Sequence, residues 1–405
     1  MPGFLVAATG VGAGDLATAS FTGSQLGLAI LWAVVLGGLL KFVLTEGLAR
    51  WQLVTGQTLL EGIAQRWGRV VGILFLPYML LWSFFVGSAI MSACGVTLYA
   101  MMPIFDSASE GKIAFGILCS LLGLSLVQMG SFQLFERVMT VCIGIMFTVV
   151  LVTAMLLWPG FDLVLSGIFI PSIPDMQGSG ITWTIALMGG VGGTLTVLCY
   201  GYWIREKGRV SVSDIKTCRM DLAFGYGATV LFGLAMVIIG STIDIEGRGA
   251  GLLVVLAERL EESLGVAGRW FFLIGAFSAV FSSLLGVWQA VPYLFADVWR
   301  LFIVTPAKEI QTPKPSIDLA KSTPYRVFLW VLALVPMIGL FLSFKEVQKL
   351  YGVIGASFMP LLAITLLILN GRKSWVGEHT NKPITVVLLI ATLVFFGALA
   401  WKKWT

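Results

Sequence analysis

Histidine is nearly absent from this chain: His379 is the only one among 405 residues, and charged residues make up only 12%. The five cysteines, Cys94, Cys119, Cys142, Cys199 and Cys218, are dispersed, with no CxxC pair. These scarcities exclude a disulfide framework and a thiolate or imidazole metal centre, and leave the cysteines as small apolar packing residues. No Ser/His/Asp set, metal-hydrolase spacing or nucleotide loop is present, so neither an enzyme nor a resident cofactor is expected. Too little charge is present for a soluble domain of this length. The net charge of +5 is spread over five separate loops, which argues against a nucleic-acid partner.

What is abundant is apolar sequence, 58% of the chain. Runs of roughly 18 or more apolar residues recur throughout, each long enough to cross a bilayer as a helix. The reading is an all-α polytopic membrane protein with the lipid bilayer as its medium and about eleven spans. They fall near 3–22, 25–50, 69–102, 112–129, 131–158, 181–204, 219–241, 268–296, 324–343, 347–369 and 383–401. The first starts so early that no separate cleavable leader is expected. Basic residues concentrate in loops after even-numbered spans, as in "IREKGRVSVSDIKTCR", which predicts a cytoplasmic N-terminus and a bacterial inner (plasma) membrane location. The acidic loop from Asp244 to Glu262 then faces outward, with "VVLAERLEESL" as a short surface helix. Nothing in the sequence specifies an oligomeric state.

Two spans carry glycine where leucine would suit a lipid-facing helix. The first contains "GVGAGD" at 10–15, and the sixth contains "GGVGGT" at 189–194. Glycines also serve close helix packing, but two interruptions at matching positions point to an inverted repeat with helices broken at the midplane. The expected organisation is a five-helix repeat over 1–160, a second over 161–370, and an additional C-terminal helix over 371–405. Asp15 inside the first break costs roughly 2.5–3.5 kcal/mol near the bilayer centre, so it needs a compensating partner. An ion would supply one; an N-cap for the second half of the broken helix is the plainer alternative.

The stretches "PGFLVAATGVGAGDLATAS" and "LLKFVLTEGLARWQLVTGQTLLEGI" resemble the NRAMP divalent-metal transporters, clearly over the first ~65 residues and faintly beyond. That resemblance implies a LeuT-type 5+5 fold with broken helices 1 and 6 and a divalent cation as transported substrate. It also implies a metal site made by Asp15, Gly12, Gly193 and Thr196. Gly12 stands where the family has its metal-binding aspartate, and the carboxylate has moved to Asp15. In "GGTLTVL", Gly193 stands at the carbonyl-donating position, Thr196 at that of the metal-binding methionine, and Leu198 at that of the histidine. Loss of the thioether favours a harder ion, Mg²⁺ or Mn²⁺, as in the family's magnesium-transporter-like branch. The third span lacks acidic residues and His379 lies in a loop, so proton coupling is not expected. A sodium-coupled transporter of a small organic solute on the same fold is the alternative, and a receptor that has lost its metal site is a third reading.

Other polar residues read as follows. Lys41 snorkels or pairs with a carboxylate, and Glu46 is structural. Thr9, Thr194 and Thr196 offer hydroxyls, although intramembrane threonines mostly bond their own backbone. Ser282, Ser283 and Gln289 are candidates to face a cavity, Asp297 pairs with Arg300, and Ser357 is the polar candidate of the tenth span. Tryptophans near span ends, such as Trp51, Trp67 and Trp401, read as interfacial anchors.

Overall fold

The computed structural model describes residues 12–129, 132–243, 249–305 and 319–404. The readings of Thr9, of the first two residues of "GVGAGD", and of Asp244 and Glu246 in the acidic loop fall outside them. Among the described residues, nine helices are long and apolar enough to cross a membrane. The count is ten if the bent pair Gly144–Leu156 and Phe161–Phe169 forms one span. The first of the nine, Gly14–Thr55, contains what the sequence divides into spans 1 and 2. Its division falls at Gly27, whose φ of 65° opens a short 3₁₀ turn, Gly27–Ile30.

Glycine punctuates the remaining elements. Gly56 has a φ of 72° and ends the second span, Leu31–Thr55. Thr58 and Glu61 then form a reciprocal capping box that starts the amphipathic helix Leu59–Trp67. Arg66 of this helix lies over the rings of Trp51 and Trp375, 4.7 Å from each centroid. The long helix Leu252–Val298 is interrupted at Gly265, with a φ of 69°. The part before the interruption holds the expected "VVLAERLEESL" helix, which buries Leu252, Leu253, Leu256 and Leu260.

Both glycine segments depart from regular α-helix among the described residues. In the first span a wide π-type turn, Ala13–Thr18, precedes the helix Ala19–Leu26. In the sixth, the helix Gly180–Gly190 stops, the chain crosses Val191–Thr194, and a 3₁₀ turn, Leu195–Cys199, leads into Tyr200–Glu206. The stop is local: Gly192 and Gly193 have φ of 70° and 81°, a region that L side chains rarely adopt.

The two breaks touch through glycine. A Cβ on Gly14 would collide with the Gly190 carbonyl oxygen, and one on Gly12 would strike Ser283 of the eighth span. Gly189 faces the Gly352 carbonyl of the tenth span in the same way. Small residues here admit backbone-to-backbone contact, which is how helices gain packing energy when lipid is as apolar as their side chains. Free cysteines Cys94, Cys119, Cys199 and Cys218 are buried as expected.

Gly14→Val should therefore lose roughly 1–3 kcal/mol or more, because the obstacle is backbone rather than a movable side chain. Gly144→Ala, where nothing lies within 4 Å of the added atom, should unfold like wild type. Unfolding of both variants in detergent checks the difference.

Candidate functional site

Asp15 is fully buried in the turn of the first span. Its carboxylate accepts two long hydrogen bonds from a single donor, the Gly192 N–H, at 3.3 and 3.4 Å. The glycine turn of the sixth span thus points an amide at the charge of the first. Most of the carboxylate's accepting capacity is left over.

Lys41 of the second span completes the arrangement. It is 2% exposed and donates to the carbonyls of Gly189, at 2.6 Å, Val191 and Gly193. These carbonyls come free because the helix stops there, so they lack the donors that an uninterrupted turn would supply. Three carbonyls match the three donors of an ammonium group. The lysine therefore neither snorkels nor takes a carboxylate, because the break has its own orphaned acceptors. Its charge still acts on Asp15 through space.

Thr45, one turn after Lys41, donates to the Lys41 carbonyl at 2.8 Å and meets the Tyr226 hydroxyl at 2.7 Å. Tyr226 in turn packs against Gly192. Gly12 is buried with its carbonyl accepting from Leu16 N–H at 3.1 Å. Gly193 contributes its carbonyl to Lys41. Thr196 is 3% exposed, and its hydroxyl makes no hydrogen bond among the described residues. The Thr194 hydroxyl is buried at the same break beside Tyr351 and Gly355. No group of three or more His, Cys, Asp or Glu suited to a metal occurs among the described residues.

Gln289 is exposed. Ser357 is exposed and bonds the Ile354 carbonyl at 2.7 Å. The interior polar residue of the tenth span is Gln348, fully buried, which reaches Thr18 at 3.4 Å and the Ala89 carbonyl at 3.2 Å. Sequence reasoning missed it because Gln348 opens the expected span, where polar residues usually meet headgroups. Asp297 does pair with Arg300, at 2.7 Å, and also accepts from Tyr202. Glu46 is held by Arg50 and Arg219 at 3.3 and 2.7 Å, a structural role as read. Ser283 sits against Gly12, while Ser282 bonds its own helix.

Two broken helices that meet at the centre of the bundle define a LeuT-type membrane fold. Solved structures agree. A manganese transporter from Eremococcus coleocola, determined with an aromatic bis-isothiourea compound, superposes with a TM-score of 0.72 at 17% identity. That match covers 98% of this chain and 84% of the other. MhsT in complex with L-phenylalanine matches with a TM-score of 0.64 at 17% identity, covering 99% and 97%. No curated protein sequence matches the chain. A family model described as natural resistance-associated macrophage protein-like matches residues 3–403. The chain belongs to this Nramp family, whose members move metal ions across membranes and are not enzymes.

Lys41→Met should be strongly destabilising, by roughly 3–5 kcal/mol, because it strips three buried carbonyls of their donor and leaves Asp15 without its nearby cation. Asp15→Asn in the same chain should return part of the loss. A coupling energy of roughly 0.5–3 kcal/mol in a double-mutant cycle of detergent unfolding is the expected result.

Proposed function

We propose that this chain carries a hard divalent cation, Mg²⁺ or Mn²⁺, between its broken first and sixth spans, without moving protons. Family membership supports a divalent metal as cargo. The observation that carries the finer reading is Asp15: a fully buried carboxylate with one weak donor, facing a helix break. In this proposal the ion rests on Asp15, the Gly12 carbonyl and the Thr196 hydroxyl and keeps several of its waters. Oxygen donors and retained water suit Mg²⁺ or Mn²⁺ better than a softer metal.

Gly193 enters the proposal conditionally, since its carbonyl is engaged by Lys41. The ion gains that carbonyl only in a state where the ammonium has released it, so ion and lysine alternate at the sixth-span break. When the ion leaves, Lys41 returns and offsets the Asp15 charge, which keeps the emptied site neutral. The third span, Arg69–Met101, holds no aspartate, glutamate or histidine to relay a proton, which supports uncoupled transport. The repeat boundaries at 160 and 370 and a cytoplasmic N-terminus in a bacterial inner membrane belong to the same proposal.

One observation favours a second reading. A lysine that fills the break's carbonyls leaves fewer of them for metal, as suits a sodium-coupled carrier of a small organic solute.

Uptake into proteoliposomes separates the two. Mg²⁺ and Mn²⁺ should enter down their gradients, with no acidification reported by a trapped pH dye. Asp15→Ala should cut uptake roughly 10-fold or more, given that even indirect metal partners are worth 10–100-fold. Sodium-driven solute accumulation without metal flux would select the second reading, and stoichiometric acidification would overturn uncoupled transport.

A further inference from the structure

A cavity of about 780 Å³ opens where the second, seventh and eleventh spans approach one another. Asp15 is not part of its lining, which combines two chemistries. Leu39, Phe42 and Val43 of the second span and Ile384 and Leu388 of the eleventh form an apolar wall. Leu39 and Ile384 are 45% and 70% exposed, so the wall faces outward, toward the acyl region of the bilayer. Lys216, Arg219 and Lys382 form the rim.

The charges do not cancel. Four cationic residues, Arg50, Lys216, Arg219 and Lys382, line the cavity against two carboxylates, Glu46 and Glu378. Arg50 and Arg219 are committed to Glu46. Lys216 and Lys382 are exposed, and their ammonium groups make no ion pair or hydrogen bond among the described residues. Arg219 keeps 44% of its side chain exposed while it holds Glu46, and its second guanidinium amine is unused. The helices Ile215–Gly240 and Pro383–Trp404 both begin at this rim, which adds the positive ends of two helix dipoles to the lysines.

A cationic rim above an outward-facing apolar wall suits an amphiphile with a negative head. Leu39 and Arg50 are eleven residues apart on one helix, on the order of 16 Å at 1.5 Å per residue, so wall and rim span acyl chain and headgroup depths together. The rim also lies at the end of the bundle that carries the basic loops, where anionic headgroups gather.

We propose that this cavity binds an anionic phospholipid, with its phosphate between Lys216, Arg219 and Lys382 and an acyl chain along Leu39, Phe42 and Ile384. The shared recognition chemistry is a phosphate ester, and the apolar wall assigns it to a lipid rather than to a soluble anion.

Native mass spectrometry of the full-length protein in detergent tests this with phosphatidylglycerol, phosphatidylcholine of the same chains, and glycerol 3-phosphate as the head alone. Wild type should prefer phosphatidylglycerol over phosphatidylcholine by roughly 10- to 30-fold, as two uncompensated lysines would give. The Lys216→Gln/Lys382→Gln double variant should lose that preference, while Lys373→Gln, at an exposed lysine outside the cavity lining, should keep it. The Lys216→Arg/Lys382→Arg variant should also keep it, which separates charge from folding. Equal binding of the two lipids by wild type, or an unchanged preference in the Gln variant, would overturn the proposal. Glycerol 3-phosphate binding as tightly as phosphatidylglycerol would overturn the assignment to lipid.

Discussion

The arrangement depends on what happens to the carbonyls released where the sixth span stops. Unsatisfied carbonyls inside a membrane cost several kcal/mol each, so a broken helix survives there only with a replacement donor. Lys41 is that donor, reaching from the second span to Gly189, Val191 and Gly193. The same contact places a positive charge within reach of Asp15 and reconciles two otherwise costly features, a buried carboxylate and a buried ammonium group. Each helix break makes sense in terms of the other's charge.

Close packing makes this possible. Gly14 against Gly190 and Gly189 against Gly352 bring backbones together, so that Asp15 meets the Gly192 amide without an intervening side chain. A site assembled from backbone amides and carbonyls, one carboxylate and one ammonium group leaves room for few ligand classes. The proposed occupant, a hard, partly hydrated divalent cation in alternation with the lysine, is one of them.

Much of the fold was legible because glycine and charge inside long apolar runs are informative. "GVGAGD" and "GGVGGT" marked both breaks, and Asp15 stood out as a charge in oil. The partner of the second break was not legible. Lys41 lies about 150 residues from the carbonyls it serves, and no local pattern tells a lysine aimed at a neighbouring helix from one that snorkels. Gln348 was missed because one polar residue at a span end looks interfacial, although the helix Phe344–Ala356 buries it.

The most direct test of alternation between ion and lysine is anomalous diffraction from crystals soaked in Mn²⁺. The account predicts a peak between the Asp15 carboxylate and the Gly193 carbonyl, with the Lys41 amine withdrawn from Gly193. A peak distant from Asp15, or Mn²⁺ bound while Lys41 still holds all three carbonyls, would contradict it.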